Sequence, residues 1–326
     1  MKFGPVPVAE AEGTILAHAM QAGSRRLPKG KLLQNADLIA LQTAGIAQVI
    51  VARLAPDDLD EDAAAAKLAL ALAGNEVTCS TAATGRVNLF AQTAGIVDLD
   101  IGAIHRFNAI NPMITLATLP QYHRVAAGNM VATIKIISYA VPGADVDHAV
   151  GLGQAIKVLP PLYRRATLIE TSLGQDPGDK GRAALGKRLA RFDVSLDDEI
   201  IVSHEINALS NAINGSDAEI IFILTASATS DIDDIGPAGL RAAGGTVTQF
   251  GMPVDPGNLL FLGDLRGRPV IGLPGCARSP ALNGADWVLE RVICGRPPSP
   301  QDFAAMGVGG LLKEIPDRPQ PRRGTR

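Results

Sequence analysis

The stretch GLPGCARSP carries a thiol, a guanidinium and a hydroxyl within four residues, at Cys276, Arg278 and Ser279. It follows a buried-strand pattern, breaks at Pro274-Gly275, and runs into Pro280 and a helical pattern. Small residues such as Gly275 let backbone N–H groups approach a ligand, and a helix start favours an anion. A guanidinium grips phosphate through two parallel hydrogen bonds. Two other loops have the same character: residues 171–181, opening on Thr171 and Ser172, and the run Thr225, Ala226, Ser227, Ala228, Thr229, Ser230, Asp231. Hydroxyls at Thr225, Ser227, Thr229, Ser230 and Ser279 add neutral hydrogen bonds, so the chemistry is that of a pocket for a phosphorylated ligand. Each loop alone also reads as ordinary structure. Ser279-Pro280 is a helix cap followed by proline at the first helical position. Cys276 is either a small loop hydrophobe or a ligand contact whose thiolate a helix start favours; no histidine lies near it in sequence to make it a nucleophile. The functional reading rests on all three loops falling at equivalent strand ends.

The elements that must hold these loops follow from periodicity. From residue 166 the chain alternates strand and helix. ATLIET is a strand, a helix spans about 181–192, and EIIVS is a strand. Ser203 is placed to cap a helix carrying Ile206, Leu209 and Ile213. EIIFILTA is a continuous apolar run, as in a strand covered on both faces. A helix runs from Ile235 to Gly244-Gly245; TVTQFGM, NLLFLGDL and PVIGL are strands, the last two flanking a tight turn at Arg266-Gly267. The last helix spans about 281–294 and buries Leu282, Ala285, Leu289 and Val292. Such alternation predicts an α/β fold with a parallel sheet between helices, and ligands bind such sheets beyond the carboxyl ends of the strands.

Residues 1–160 read as a smaller mixed α+β region. Strands fall at residues 3–8 and 46–52, Asp37 caps a helix to about Thr43, and DDLDEDAAAAKLALALAG is a helix whose acidic start complements its dipole. In the strand MVATIKII, Lys135 is a solvent-face residue or an anion contact. VLPPLYRR reads as a linker, which places a second domain at 161–296 and a Pro-rich flexible tail, basic at its end, at 297–326.

The totals narrow the function. The chain has 326 residues, 47% hydrophobic and 4% aromatic, with 34 glycines, which suits layered α/β packing. A net charge of −3 argues against nucleic acid as a partner. Three cysteines without a CxxC pair point to a reducing compartment and no structural zinc. Five singly scattered histidines offer no metal-site spacing. No apolar run reaches the roughly 18 residues of a membrane helix, and the start lacks the layout of a signal peptide. The expected location is the cytoplasm.

Three segments, ILTASATSDIDD, FGMPVDPGNLLFLGDLRGRPVIGLPG and CARSPALNGADWVLERVICG, resemble the molybdopterin-binding domain of molybdenum-cofactor biosynthesis proteins, the domain shared by molybdopterin molybdotransferases. MKFGPVPVAEAEG, KGKLL, MVATIKII, FGMPVDPGNLL and GLPGCARSP are similar, more narrowly, to the molybdotransferase-like segment that precedes cytidylyltransferase domains in some bacterial cofactor-maturation proteins. The resemblance extends over residues 1 to about 312. It implies a C-terminal three-layer αβα molybdopterin-binding domain preceded by the mixed α+β region, with molybdopterin or the molybdenum cofactor as ligand and magnesium as an accompanying ion. Thr225, Ala226, Ser227, Thr229 and Ser230 then line the ligand; Gly275, Cys276 and Ser279 face it; Pro256-Gly257 shapes the third side. Asp231 matches the family's functional aspartate, and Asp234 is a helix cap.

The departures are as informative. The family's TSGGVSVGDYD loop is TASATSDIDD here, without the glycine pair. Its KPGK is DPGN, so Asp255 and Asn258 stand where two lysines would attract molybdate. Like charges about 4 Å apart repel by roughly 1 kcal/mol even in water, so Asp255 disfavours an inserted oxyanion. LPGNP is LPGCA. No LAAGxSxRMG-like stretch exists, and the chain ends where a cytidylyltransferase half would begin. Three functions are therefore weighed. The first is a protein that binds molybdopterin or the finished cofactor and passes it in trans to a cytidylyltransferase or a target molybdoenzyme. The second is a divergent molybdotransferase with Asp231 positioning a metal or adenylyl group. The third is a phosphate-ligand domain of another pathway, such as nucleotide repair. By analogy with the family the chain is expected to be a homodimer.

Overall fold

Ile220–Leu224 is a strand with every residue buried, the pattern of a sheet interior covered on both faces. It lies in the second of two compact units. The computed structural model describes residues 1–197, 199–254 and 257–312. The first unit comprises Met1–Thr93 and Val97–Val158; the second comprises Ala94–Ile96 and the chain from Leu159 onward. Together they make a mixed α/β protein.

The first unit holds two apolar clusters. One gathers Leu16, Leu27, Leu33, Leu41, Val49 and Val51. Strand Lys2–Pro7 pairs antiparallel with Gln48–Arg53 beside it. Helix Asn35–Thr43 starts one residue after Gln34, with Asp37 three positions along rather than at the cap itself. The Asp37 carboxylate accepts the Gln34 N–H at 3.1 Å and pairs with Arg25 at 2.9 Å and Lys31 at 3.2 Å. Burial pushes its pKa up, but the Gln34 N–H and the two cations outweigh that and hold it below the usual carboxylate range. The second cluster surrounds Leu68, Leu72, Leu89, Phe107, Ile134 and Ile136. Its helix, Glu61–Leu72, is capped by Asp60, whose side chain accepts from the N–H groups of Asp62 and Ala63. Lys135 is half-buried; its ammonium pairs with Glu61 at 3.5 Å and donates to the Thr84 carbonyl.

In the second unit the strands are β1 (Arg165–Ser172), β2 (Ser195–Leu196), β3 (Ile200–Ser203), β4 (Ile220–Leu224), β5 (Thr246–Met252), β6 (Asn258–Leu265) and β7 (Arg268–Gly272). The helices are α1 (Lys180–Leu189), α2 (Ile206–Gly215), α3 (Ile235–Ala242), α4 (Gly284–Ile293) and α5 (Pro300–Ala305). The sheet order is β2-β1-β4-β7-β6-β5, with β3 also on β1. β1 runs parallel to β2, β3 and β4, and β4 parallel to β7. β5-β6 and β6-β7 are antiparallel, so the sheet is mixed and not parallel throughout. The reason is local. Arg266 and Gly267 both take left-handed backbone, φ 54° and 84°, which closes a tight hairpin between β6 and β7.

Leu209 and Ile213 of α2 and Leu240 of α3 pack on Ile169, Ile221 and Ile223 of the sheet. Gly181 of α1 approaches Leu224 and Glu170, which point from β4 and β1 to the opposite face. Helix starts depart from expectation in two places. α2 begins at Ile206 after Glu205, with no side-chain cap bond, and Ser203 stays in β3. α4 begins at Gly284, because Asn283 and Asp286 form a reciprocal capping box there; Pro280 precedes the helix and Leu282 is exposed. Residues 300–305, expected in a flexible tail, form α5, capped by Ser299 and anchored by buried Phe303. The last part of that expected tail, residues 313–326, lies outside the described residues. Among the described residues no helix is long and apolar enough to cross a membrane.

Gly272 ends β7 where a Cβ would lie 1.9 Å from Cε1 of Phe261. That ring is 1% exposed, and a Cβ on Gly236 would lie 2.9 Å from the same ring carbon. Gly272→Ala is therefore expected to cost about 1–3 kcal/mol by overpacking, read as a lower urea midpoint at unchanged slope.

Candidate functional site

Because β1, β3, β4 and β7 run in one direction, their carboxyl ends lie on one side of the sheet, and the three polar loops leave from three of those ends. Thr171, at the end of β1, is fully buried. Its Oγ1 accepts the Ala226 N–H at 2.8 Å and lies 2.8 Å from Nδ1 of His204. The His204 N–H donates to the Ser172 carbonyl at 2.9 Å. Thr225 and Thr229 are buried, their hydroxyls 3.1 Å apart, and Thr225 donates to the Ser227 carbonyl at 2.6 Å. The Ser172 hydroxyl donates to the Gln175 carbonyl, which folds the first loop back on itself.

The loop after β7 is built differently from the sequence expectation. Gly275–Arg278 form one 3-10 turn, and no helix starts at Pro280. Arg188 of α1, 5% exposed, donates to the carbonyls of Ala277, Ser279 and Ala281 at 3.0, 2.9 and 3.2 Å and to Asp286 at 2.7 Å. The loop thus turns carbonyls toward a guanidinium, and the first turn of α4 is closed by its own capping box. The helix start is not the anion-binding end that Ser279-Pro280 suggested. Gly275 and Cys276 are exposed on the 3-10 turn, and Ser279 follows it.

Arg278 is anchored by its Nη2, which donates to Oε1 of Glu170 at 3.2 Å and to the Thr225 carbonyl at 3.5 Å. Glu170 has no exposed surface. Burial pushes its pKa up to about 7, helped by the hydrogen bond that the protonated carboxyl donates to Glu199 and opposed by the Arg278 charge. Among the described residues, neither Oε2 of Glu170 nor Oε1 of Glu199 meets a nitrogen or hydroxyl donor. A proton held on Glu170 and directed at the Glu199 carboxyl accounts for both observations. Sequence reading missed Glu170, Glu199, Arg188 and His204. Glu170 left a signal, a carboxylate inside the otherwise apolar ATLIE run; Arg188, in GKRLAR, looks like any solvated basic residue.

Of the predicted site residues, Thr171, Thr225, Ala226, Thr229 and Arg278 are joined through direct hydrogen bonds or through Glu170, and Ser172 adjoins them. Ser230 and Asp231 lie on the outer turn of the second loop. Ser230 N–H donates to Asp234, which caps α3 as expected, and Asp231 accepts the Asp233 N–H at 2.8 Å. Asp231 is exposed, and an amide preserves its turn acceptor, so Asp231→Asn should shift unfolding by no more than about 0.5 kcal/mol. Calorimetry checks this; a loss of several degrees would make Asp231 a structural residue. Gly257 is exposed with φ 77°. Its neighbours Asp255 and Pro256, proposed as a repulsive charge and a pocket wall, lie outside the described residues. Asn258 is 6% exposed, and its Oδ1 accepts the Leu260 N–H at 3.2 Å. Among the described residues no group of three or more His, Cys, Asp or Glu side chains is placed to hold a metal ion.

A domain of unknown function, DUF8806, matches residues 5–53. No curated protein matches the sequence. Solved structures that align with the chain include a molybdopterin biosynthesis MoeA protein from Pyrococcus horikosii, at 13% identity and TM-score 0.29, covering 94% of this chain and 77% of that one. Another is a molybdenum cofactor biosynthesis protein from Pyrococcus furiosus, at 10% identity and TM-score 0.27, covering 91% and 66%. NadC from Streptococcus pyogenes aligns at 14% identity and TM-score 0.15, covering 56% and 80%. Scores of this size establish neither a shared fold nor a shared activity.

Proposed function

We propose that the second unit binds molybdopterin or the molybdenum cofactor at the carboxyl ends of β1, β3, β4 and β7, and hands it on in trans during cofactor maturation. The observation that carries this reading is the bonded cluster of Thr171, Thr225, Ala226, Thr229 and Arg278 at those strand ends. These positions come from the loops whose motifs resemble the molybdopterin-binding domain, with its αβα layering. Thr225–Thr229 and the exposed turn at Gly275–Arg278 then flank the ligand, and Arg278, held by Glu170, stands between them.

A holder is favoured over a molybdate inserter because DPGN replaces the lysine pair of KPGK, and Asn258 is buried at the start of β6. The receiving partner in this reading is a cytidylyltransferase or a target molybdoenzyme. The test is the identity of the ligand that copurifies, by mass and by pterin fluorescence after oxidation, followed by titration with molybdate. A pterin with negligible molybdate affinity supports the holder. Tight molybdate binding favours the transferase, and a bound non-pterin phosphate ester removes both.

A further inference from the structure

His204 is the one histidine in the strand-end cluster, and its neighbours determine which of its nitrogens carries the proton. Thr171 Oγ1 already accepts the Ala226 N–H. The Thr171 hydroxyl is fully buried, and its own hydrogen needs an acceptor. Nδ1 of His204, 2.8 Å away, is that acceptor. A proton on Nδ1 would face the hydroxyl with a second donor and leave the Thr171 hydrogen without a partner. The relay from the Ala226 N–H through the Thr171 hydroxyl to His204 Nδ1 therefore selects the tautomer with its proton on Nε2. The ring is half-buried, with its Nδ1 edge against a buried hydroxyl. Its other edge carries Nε2.

Several surrounding polar groups are already committed. Arg278 is tied to Glu170, Thr225 donates to the Ser227 carbonyl beside Thr229, and the hydroxyls of Ser172 and Ser230 donate to the carbonyls of Gln175 and Ala228. The ring Nε2–H of His204, by contrast, has no partner among the described residues. A fixed, uncharged donor discriminates well for an uncharged acceptor and gains little of the charge attraction that phosphate needs. We infer that His204 is the hydrogen-bond donor that reads a carbonyl or ring-nitrogen acceptor on the flat heterocycle of the bound ligand, with Thr171 as its positioning residue. This rests on the pterin reading above and assigns its ring contact.

The test uses the full chain and 6-hydroxymethylpterin, a phosphate-free probe followed by its fluorescence. Nitrogen-15 NMR of the unliganded protein at pH 8 should show His204 protonated at Nε2. His204→Phe should weaken the probe about tenfold, the effect of losing one hydrogen bond, and should also lower the thermal midpoint by a few degrees, because the buried Thr171 hydroxyl loses its acceptor. His204→Gln, whose amide can donate, should recover part of that loss. A proton on Nδ1, or equal mixtures of the two tautomers, would overturn the relay whatever the variants do. Unchanged affinity in His204→Phe would overturn the His204 contact alone. A wild-type chain that binds no pterin at all would sink the proposed function together with the contact.

Discussion

Arg188→Met is expected to lower the thermal midpoint by roughly 6–20 °C and to release residues 275–282 to hydrogen exchange. Arg188 and Asp286 are 5% and 2% exposed and meet at 2.7 Å. The same guanidinium satisfies the carbonyls of Ala277, Ser279 and Ala281. Methionine fills the volume but leaves a buried carboxylate without its counter-charge and three carbonyls without a donor. Breaking a buried pair from one side costs about 3–5 kcal/mol. A unit of this size loses about 2–4 °C per kcal/mol, which sets the expected range. Calorimetry with exchange mass spectrometry reads both effects. A shift under about 2 °C, or an unchanged loop, would mean that the 3-10 turn holds itself and that Arg188 is incidental.

The second large effect is a pH dependence. Glu170 rises from 4.5 in the unfolded chain to about 7 in the fold, chiefly through burial, with the Glu199 carboxyl adding to it. The folded state therefore holds a proton that the unfolded state releases between those values. The associated stability is fully present below pH 4.5 and is lost as pH rises through about 7. The size is on the order of 3 kcal/mol. Glu170→Gln keeps an acceptor for Arg278, gives Glu199 a permanent donor and cannot titrate. Wild-type urea midpoints should fall between pH 5 and pH 8 while those of the variant stay nearly level, so that the variant is the more stable protein at pH 8. Parallel lines for the two proteins would show that Glu170 ionises in the fold as it does in water.

The elements legible in advance were those decided by their own residues. The apolar run at Ile220–Leu224 needs burial on two faces, Arg266-Gly267 needs left-handed backbone, and Asp234 caps the helix that follows it directly. The elements misread were decided from a distance. Ser279-Pro280 has the local grammar of a helix start, but Arg188 from another helix pins the carbonyls around it and Asn283 supplies the true cap. The antiparallel edge escaped for a similar reason. Strands β5, β6 and β7 were visible singly, whereas their directions depend on hairpin closure. Within the site, hydroxyls and glycines betrayed the loops by composition. Glu170 is raised chiefly by its burial in the folded sheet, and Glu199, from a segment beyond α1, adds to the shift.

The position of β7 in the sheet also bears on how the chain emerges during synthesis. β4 is paired on one side by β1, which precedes it, and on the other by β7, which follows α3 and the β5-β6 pair. A nascent chain released only as far as β6 can dock β4 on β1, but the far edge of an entirely apolar strand stays open until β7 arrives. Such an edge invites pairing with other chains, and parallel partners distant in sequence close slowly. The vulnerable interval for this protein is thus the translation of residues 225–272, when a holding chaperone at the ribosome has the most to protect.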